Sequence, residues 1–270
     1  MKAMHARRRA RAFRQMVVNH GWAAAMRTAG GELRQKLRPR RAQNSLSWLA
    51  TDVHAIDHRY GLDTSGLIWS IDLGTGSPSD AWNTAYYAIP PSVFAPVMAE
   101  LPPALLAGAT FLDLGCGKGR ALLLASEYPF ARVTGVEISP PLHAIAQQNA
   151  KRYAALRAAE GRAGAPPIEV LLQDAAAFAF PAGPLVLYLY NPFCRPIVER
   201  VLDNLGHSLA ADPRPAAVVY INHEVHDLLD RAPFLRRTWS ATVAMNPEDR
   251  LADRVGSSAE DCAIYLAHTR

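Results

Sequence analysis

The chain has 270 residues, half of them apolar, with a formal net charge of +5; that is enough for one large domain, or one domain and an appendage. No apolar run reaches membrane-spanning length and no secretory leader is visible. Cys116, Cys194 and Cys262 lie too far apart for a disulfide framework or a zinc site, so a cytoplasmic protein without a structural metal is expected.

Residues 4–37 read as one or two helices, interrupted near Gly30-Gly31 and followed by a linker, Arg38–Arg41. Residues 1–41 hold twelve Lys or Arg and one Glu, leaving 17 basic and 23 acidic groups for the rest. The basic balance belongs to this arm alone. The plainest expectation is a solvated helix with no specific contact. Val17, Val18, Trp22 and Met26 also suit it to lie on an acidic surface of lipid, nucleic acid or protein. Nucleic acid is the weaker partner, because the body is acidic and its aromatic residues do not interleave with basic stripes. Residues 46–60 read as a short helix, 61–80 as a loop rich in Gly, Ser and Asp, and 84–101 as a segment ending in a helix with proline near its start.

From residue 109 the pattern changes. Strands are expected at 109–115, 132–138, 168–174, 184–191 and 215–222, and helices at 119–127, 141–159 and 195–209. The strands are almost continuously apolar, as in a parallel sheet covered on both faces. Two weaker strands, 236–245 and 262–269, have no clear helix between them and suit an antiparallel hairpin at the sheet edge. This is an α/β chain, Rossmann-like and doubly wound, with a helical N-terminal extension. Three parts follow: a basic helical arm over 1–45, a cap or lid over 46–105, and a ligand-binding domain over 106–270.

In such sheets ligands sit at the carboxyl ends of the strands. The first strand ends in FLDLGCGKGR, with Asp113 two residues before Gly115, then Gly117 and Gly119. Glycine at every second position lets the chain turn tightly and lets a ligand approach the backbone. The spacing is neither the GxGxxG of a dinucleotide site nor a Walker motif. An acid beside the turn suits a ligand with a positive group better than a diphosphate. Glu137 ends the second strand, where a carboxylate can accept both ribose hydroxyls. Asp174 ends the third, where it can accept an adenine amino hydrogen or cap the next helix. YLYNPF ends the fourth strand, and Pro192 pushes Asn191 out of the helical region, so that its carbonyl and amide oxygens can point into the pocket. His143, His223 and Glu224 are lesser candidates, and Cys116 needs no redox role.

LDLGCGKG resembles the first motif of the class I S-adenosylmethionine-dependent methyltransferases, over roughly residues 84–268. The resemblance implies a seven-stranded sheet with an antiparallel last strand and S-adenosylmethionine as cofactor. It places Asp113, Gly115, Cys116, Gly117 and Gly119 at the methionine end, Glu137 and Ile138 at the ribose, and Asp174 and Ala175 at the adenine. GKGR, with Tyr86, Tyr87, Pro90 and Pro91 upstream, loosely resembles the Dot1-type and related lysine methyltransferases, in which that upstream segment closes over the cofactor; Tyr87 is then a cofactor contact. Asn191, Pro192 and Phe193 look like the [DN]PP[YF] motif of amino-group methyltransferases, one proline short, and that resemblance makes them the catalytic residues. The activity implied is methyl transfer to a nitrogen of a protein side chain or a small molecule. The alternatives are an inactive methyltransferase-like module that binds RNA, membrane or protein, and a nicotinamide-dependent oxidoreductase.

Overall fold

The structure, a computed structural model, describes residues 2–22, 25, 53–73, 75–162, 164–252 and 258–268. The break expected at Gly30-Gly31, the linker 38–41, Met26 and the first part of the 46–60 helix lie outside the described residues.

Seven strands form one sheet: β1 Thr110–Leu114, β2 Arg132–Glu137, β3 Ile168–Leu172, β4 Leu185–Tyr190, β5 Ala216–Ile221, β6 Leu235–Ala244 and β7 Ala259–Ala267. Their order is β3-β2-β1-β4-β5-β7-β6. The first five pair in parallel, and β7 runs antiparallel to both β5 and β6. The order reverses between β1 and β4, which leaves a crevice at their carboxyl ends. The nine helices among the described residues are α1 Lys2–His20, α2 Ala55–Tyr60, α3 Pro91–Ala99, α4 Pro103–Leu106, α5 Arg120–Ala125, α6 Pro140–Ala159, α7 Arg195–Ala211, α8 His226–Arg231 and α9 Pro247–Ala252.

The alternating side chains of the strands build two cores. Phe111, Val186, Tyr188, Val219 and Ile264 face one side, with α3 and α5 over them. Leu112, Leu187, Leu189, Val218 and Tyr265 face the other, under α7. The ring of Tyr188 lies 5.3 Å from that of Phe111 and 5.6 Å from that of Phe94 on α3. Fully burying each such side chain contributes about 1.5–3 kcal/mol, so the central strands form a rigid floor for whatever projects from their ends.

Three expectations change. The tail is not a bare hairpin, because α9 lies between β6 and β7. The stretch 61–80 is not plain loop, since it carries 3-10 turns at Ser70–Asp72 and Pro78–Trp82. Nor is the described part of the arm a solvated helix without specific contacts: Gln15 Nε2 donates to the Asn83 carbonyl at 2.7 Å, the Arg14 guanidinium stacks over Trp82, and Asn19 is buried. Asn19 accepts from the Arg195 amide at 2.9 Å through Oδ1, and its carbonyl accepts from the Arg195 guanidinium, which in turn holds Asp227. Trp22 remains exposed. Among the described residues no helix is long and apolar enough to cross a membrane.

Candidate active site

A cavity lies at the carboxyl ends of β1, β2 and β4, where ligands sit in sheets of this kind. Asp113, Gly115, Cys116 and Gly117 line its floor. Glu137, Ile138, Asp174 and Ala175 line one side, and Pro192, Phe193 and Tyr87 the other. Gly119 is not in the lining; it sits at φ 87° before α5, where it starts the helix. Asn191 lines the neighbouring cavity instead.

The glycines are needed for close packing by the protein itself. A Cβ on Gly115 would sit 2.6 Å from Pro192, and one on Gly117 would sit 2.2 Å from the ring of Tyr86. Both residues also have positive φ, at 83° and 55°, which an L side chain resists. The upstream segment and the end of β4 therefore both press on the glycine turn. Tyr86 is fixed there by its hydroxyl, which donates to the Thr64 carbonyl at 2.6 Å.

Lys118 and Arg120 hold residues 57–65 rather than reaching for a ligand. The Lys118 ammonium donates to Asp63 at 2.6 Å and to the Ser65 carbonyl at 2.8 Å. Arg120 donates to the Thr64 hydroxyl at 2.7 Å and to the Ser65 hydroxyl at 3.0 Å, with Asp57 at 3.9 Å. Asp57 in turn accepts from the Thr64 and Ser65 amides. The two cations of the turn thus anchor residues 57–65 beside the cavity. The same segment is tied at its start by His54, whose Nε2 lies 2.6 Å from Asp249, a carboxylate that also accepts from the Ser92 amide at 2.8 Å.

The three strand-end acids meet in this one cavity with different surroundings. Glu137 accepts from the Gly117 amide and the Ser139 amide, each at 2.8 Å, so it braces the turn from below. Burial nonetheless pushes its carboxyl up, against those backbone donors. Asp174 caps the short turn Ala175–Ala177 by accepting from the Ala176 amide at 2.8 Å, and it accepts from the Ser79 hydroxyl at 2.7 Å. Asp113 is 4% exposed, and among the described residues none donates a hydrogen bond to it. Burial, with the Glu137 carboxylate adding repulsion, pushes Asp113 well above the usual carboxylate range. A buried acid without a donor is costly when ionised. It becomes favourable when a cation enters beside it, and a ligand with an ammonium and a sulfonium group answers that need.

At the end of β4, Asn191 is left-handed, at φ 39°. Its carbonyl does not point into the cavity as expected; it accepts from the Thr84 hydroxyl at 2.6 Å. The Pro192 carbonyl accepts from the Thr84 amide at 3.1 Å, and Asn83 bridges Phe193. The amide Oδ1 of Asn191 is buried and has no partner among the described residues. Phe193 is buried, and the edge of its ring lies over Gly115.

Of the lesser candidates, His143 bonds the Val170 carbonyl on β3 and is structural. His223 is half-buried, with its pKa lowered by that burial, and packs near Tyr220 and His226. Cys116 is buried and its Sγ packs where a Cβ on Gly135 would lie, which explains it without redox chemistry. Thr84, which lines this cavity and holds Asn191, is a site residue that sequence reasoning passed over.

Residues 111–212 match the family model described as a methyltransferase domain. No curated protein sequence is significantly similar. Among solved structures, the chain is similar to a TehB-like S-adenosylmethionine-dependent methyltransferase from Corynebacterium glutamicum: 18% identity, 67% of this chain and 90% of the other covered, TM-score 0.43. It is also similar to the N-methyltransferase NodS from Bradyrhizobium japonicum, at 13% identity, 65% and 94% coverage and a TM-score of 0.45. A third is the magnesium protoporphyrin IX methyltransferase from Synechocystis, solved with S-adenosylmethionine bound, at 15% identity, 65% and 76% coverage and a TM-score of 0.41. Residues 111–212 thus carry a methyltransferase domain, on a sheet of the order β3-β2-β1-β4-β5-β7-β6.

Proposed function

We propose that this chain transfers the methyl group of S-adenosylmethionine to a nitrogen of a protein side chain or a small molecule. The observation that carries the cofactor half is the buried Asp113 carboxylate, which faces the cavity without a hydrogen-bond donor among the described residues. Asp113 and the glycine turn hold the methionine end, Glu137 and Ile138 the ribose, and Asp174 with Ala175 the adenine. When bound, the cofactor supplies a methyl group on a positively charged sulfur, open to displacement by a nitrogen lone pair.

The acceptor half is supported by Asn191, Pro192 and Phe193. The Thr84 hydrogen bonds fix this bend, so the Asn191 amide is held at the wall of the neighbouring cavity with its Oδ1 buried and unpartnered among the described residues, and the Phe193 ring excludes water from one side. Alignment is the main contribution asked of the protein, and good alignment is worth about 7–11 kcal/mol in intramolecular reactions. No protein base is required once the amine is neutral. GKGR and the Tyr86-Tyr87 segment add support for an amine acceptor of the kind used by lysine methyltransferases. The test is mass spectrometry of cell extract treated with the protein and isotopically labelled cofactor, with N191A as control. The label is expected on nitrogen and lost in N191A; label on oxygen or carbon contradicts the reading.

A further inference from the structure

The chain ahead of α3 crosses the ends of three strands in turn. Past β2, the Ser139 hydroxyl donates to the Leu73 carbonyl at 2.8 Å. Past β3, the Ser79 hydroxyl donates to Asp174 Oδ2 at 2.7 Å. Past β4, Thr84 holds Asn191 and Pro192. Leu73, Asn83 and Thr84 line the cavity together with Asp174, whereas Ser79 stands behind that acid and outside the lining. We infer that Ser79 is a positioning residue for the adenine half of the site: it acts through Asp174, whose carboxylate it orients so that an adenine amino group can donate to it. This rests on the placement of adenine beside Asp174 and names what sets that acid.

A carboxylate can only accept, through two oxygens with about four lone-pair sites. Each oxygen of Asp174 is held by one donor, Oδ1 by the Ala176 amide at 2.8 Å and Oδ2 by the Ser79 hydroxyl. The amide alone would fix one oxygen and let the carboxylate turn about it. The hydroxyl fixes the other, so the plane of the group has one orientation. About one lone pair on each oxygen is then unclaimed among the described residues, on a side chain that lines the cavity. Asp174 is only partly buried. Water competes for it there, and alignment decides how well a ligand N–H does by comparison.

Ser79 is itself placed with care by its own segment. Its amide donates to the Ser77 hydroxyl at 3.1 Å, and the Ser77 amide donates to the Thr75 hydroxyl at 3.1 Å. Hydroxyls two residues apart thus close two successive turns, and Pro78 starts the 3-10 turn that carries Ser79. Ser77 does the local capping, which frees the Ser79 hydroxyl for a partner 95 residues away. At 7% exposure Ser79 depends on that bond, because a buried hydroxyl is costly without one.

The test is calorimetry of the full chain with S-adenosylhomocysteine and with its 6-deamino analogue, which carries purine in place of adenine and lacks only the amino donor. The wild type is expected to bind the adenine form at least ~tenfold more tightly, as befits a hydrogen bond to a charged group. S79A, and S79C, which keeps the size but donates weakly, are each expected to cut that ratio to about threefold or less and to leave the affinity for the purine form unchanged. D174A is expected to abolish the preference, and S79A added to D174A to change it no further. If S79A and S79C keep the wild-type ratio, whatever their absolute affinities, Ser79 only pins its segment and the inference falls while adenine stays at Asp174. If the wild type shows no preference, the placement of adenine falls and takes the inference with it. If S-adenosylhomocysteine itself fails to bind, the cofactor reading falls as well.

Discussion

The Thr84 hydroxyl donates to the Asn191 carbonyl across 2.6 Å, so the segment ahead of the first strand holds the bend that ends β4. Replacing Thr84 by Val keeps the size and the backbone donor and removes only this hydroxyl. T84V is expected to lower kcat about tenfold, equivalent to ~1.4 kcal/mol, with cofactor affinity nearly unchanged. Initial rates beside calorimetry check the split; equal loss in both would mean that Thr84 serves the cofactor cavity instead.

Gly117 lies against Tyr86, and its φ is 55°. In G117A the new methyl must displace the tyrosine ring, and the left-handed backbone costs about 1–2 kcal/mol on its own. S-adenosylmethionine affinity is expected to fall at least ~tenfold, read by titration, while the circular dichroism spectrum stays native.

Arg120 is 6% exposed and holds Thr64, Ser65 and, at 3.9 Å, Asp57. Removing one partner from such a buried network costs about 3–5 kcal/mol, or some 6 °C or more in Tm at ~2–4 °C per kcal/mol. R120M is expected to show that loss in thermal unfolding. The first cuts in limited proteolysis should fall within 53–80, the segment the clamp holds.

Asp113 titrates above the usual carboxylate range because it is buried beside Glu137. An acid whose folded pKa is raised adds stability at low pH and loses it as pH rises through that pKa. A cation bound beside it favours the ionised form, so S-adenosylmethionine affinity should rise with pH over the same window. D113N removes both effects. At neutral pH it should raise the Tm of the cofactor-free protein, because an amide cannot ionise and so carries none of the stability loss that the raised carboxyl accumulates as pH rises, and it should flatten the pH dependence of cofactor affinity. Thermal scans across pH, with and without cofactor, test both signs.

Much of the sheet was legible because its central strands are buried on both faces and read as unbroken apolar runs, as in Leu185–Tyr190. The six-residue helices His226–Arg231 and Pro247–Ala252 were missed, since they are too short to show a helical period. Strand ends pointed to the cavity that Asp113, Glu137 and Asp174 line, because position in such a sheet is set by topology. What Lys118 and Arg120 do was not legible: their partners Asp63, Thr64 and Ser65 lie more than fifty residues upstream in a stretch without periodicity. The docking of α1 was hidden for a similar reason, because Asn19 and Gln15 are single polar residues in a basic helix and nothing local marks them as buried contacts.

The central claim is that Asp113, Glu137 and Asp174 converge on one sulfonium nucleoside. Calorimetric titration of the full chain with S-adenosylmethionine, alongside D113N, tests it most directly. One site per chain with a Kd of roughly 1–100 μM, weakened about 100-fold or more in D113N, is expected. No heat of binding up to ~1 mM, or equal affinity in D113N, would contradict it.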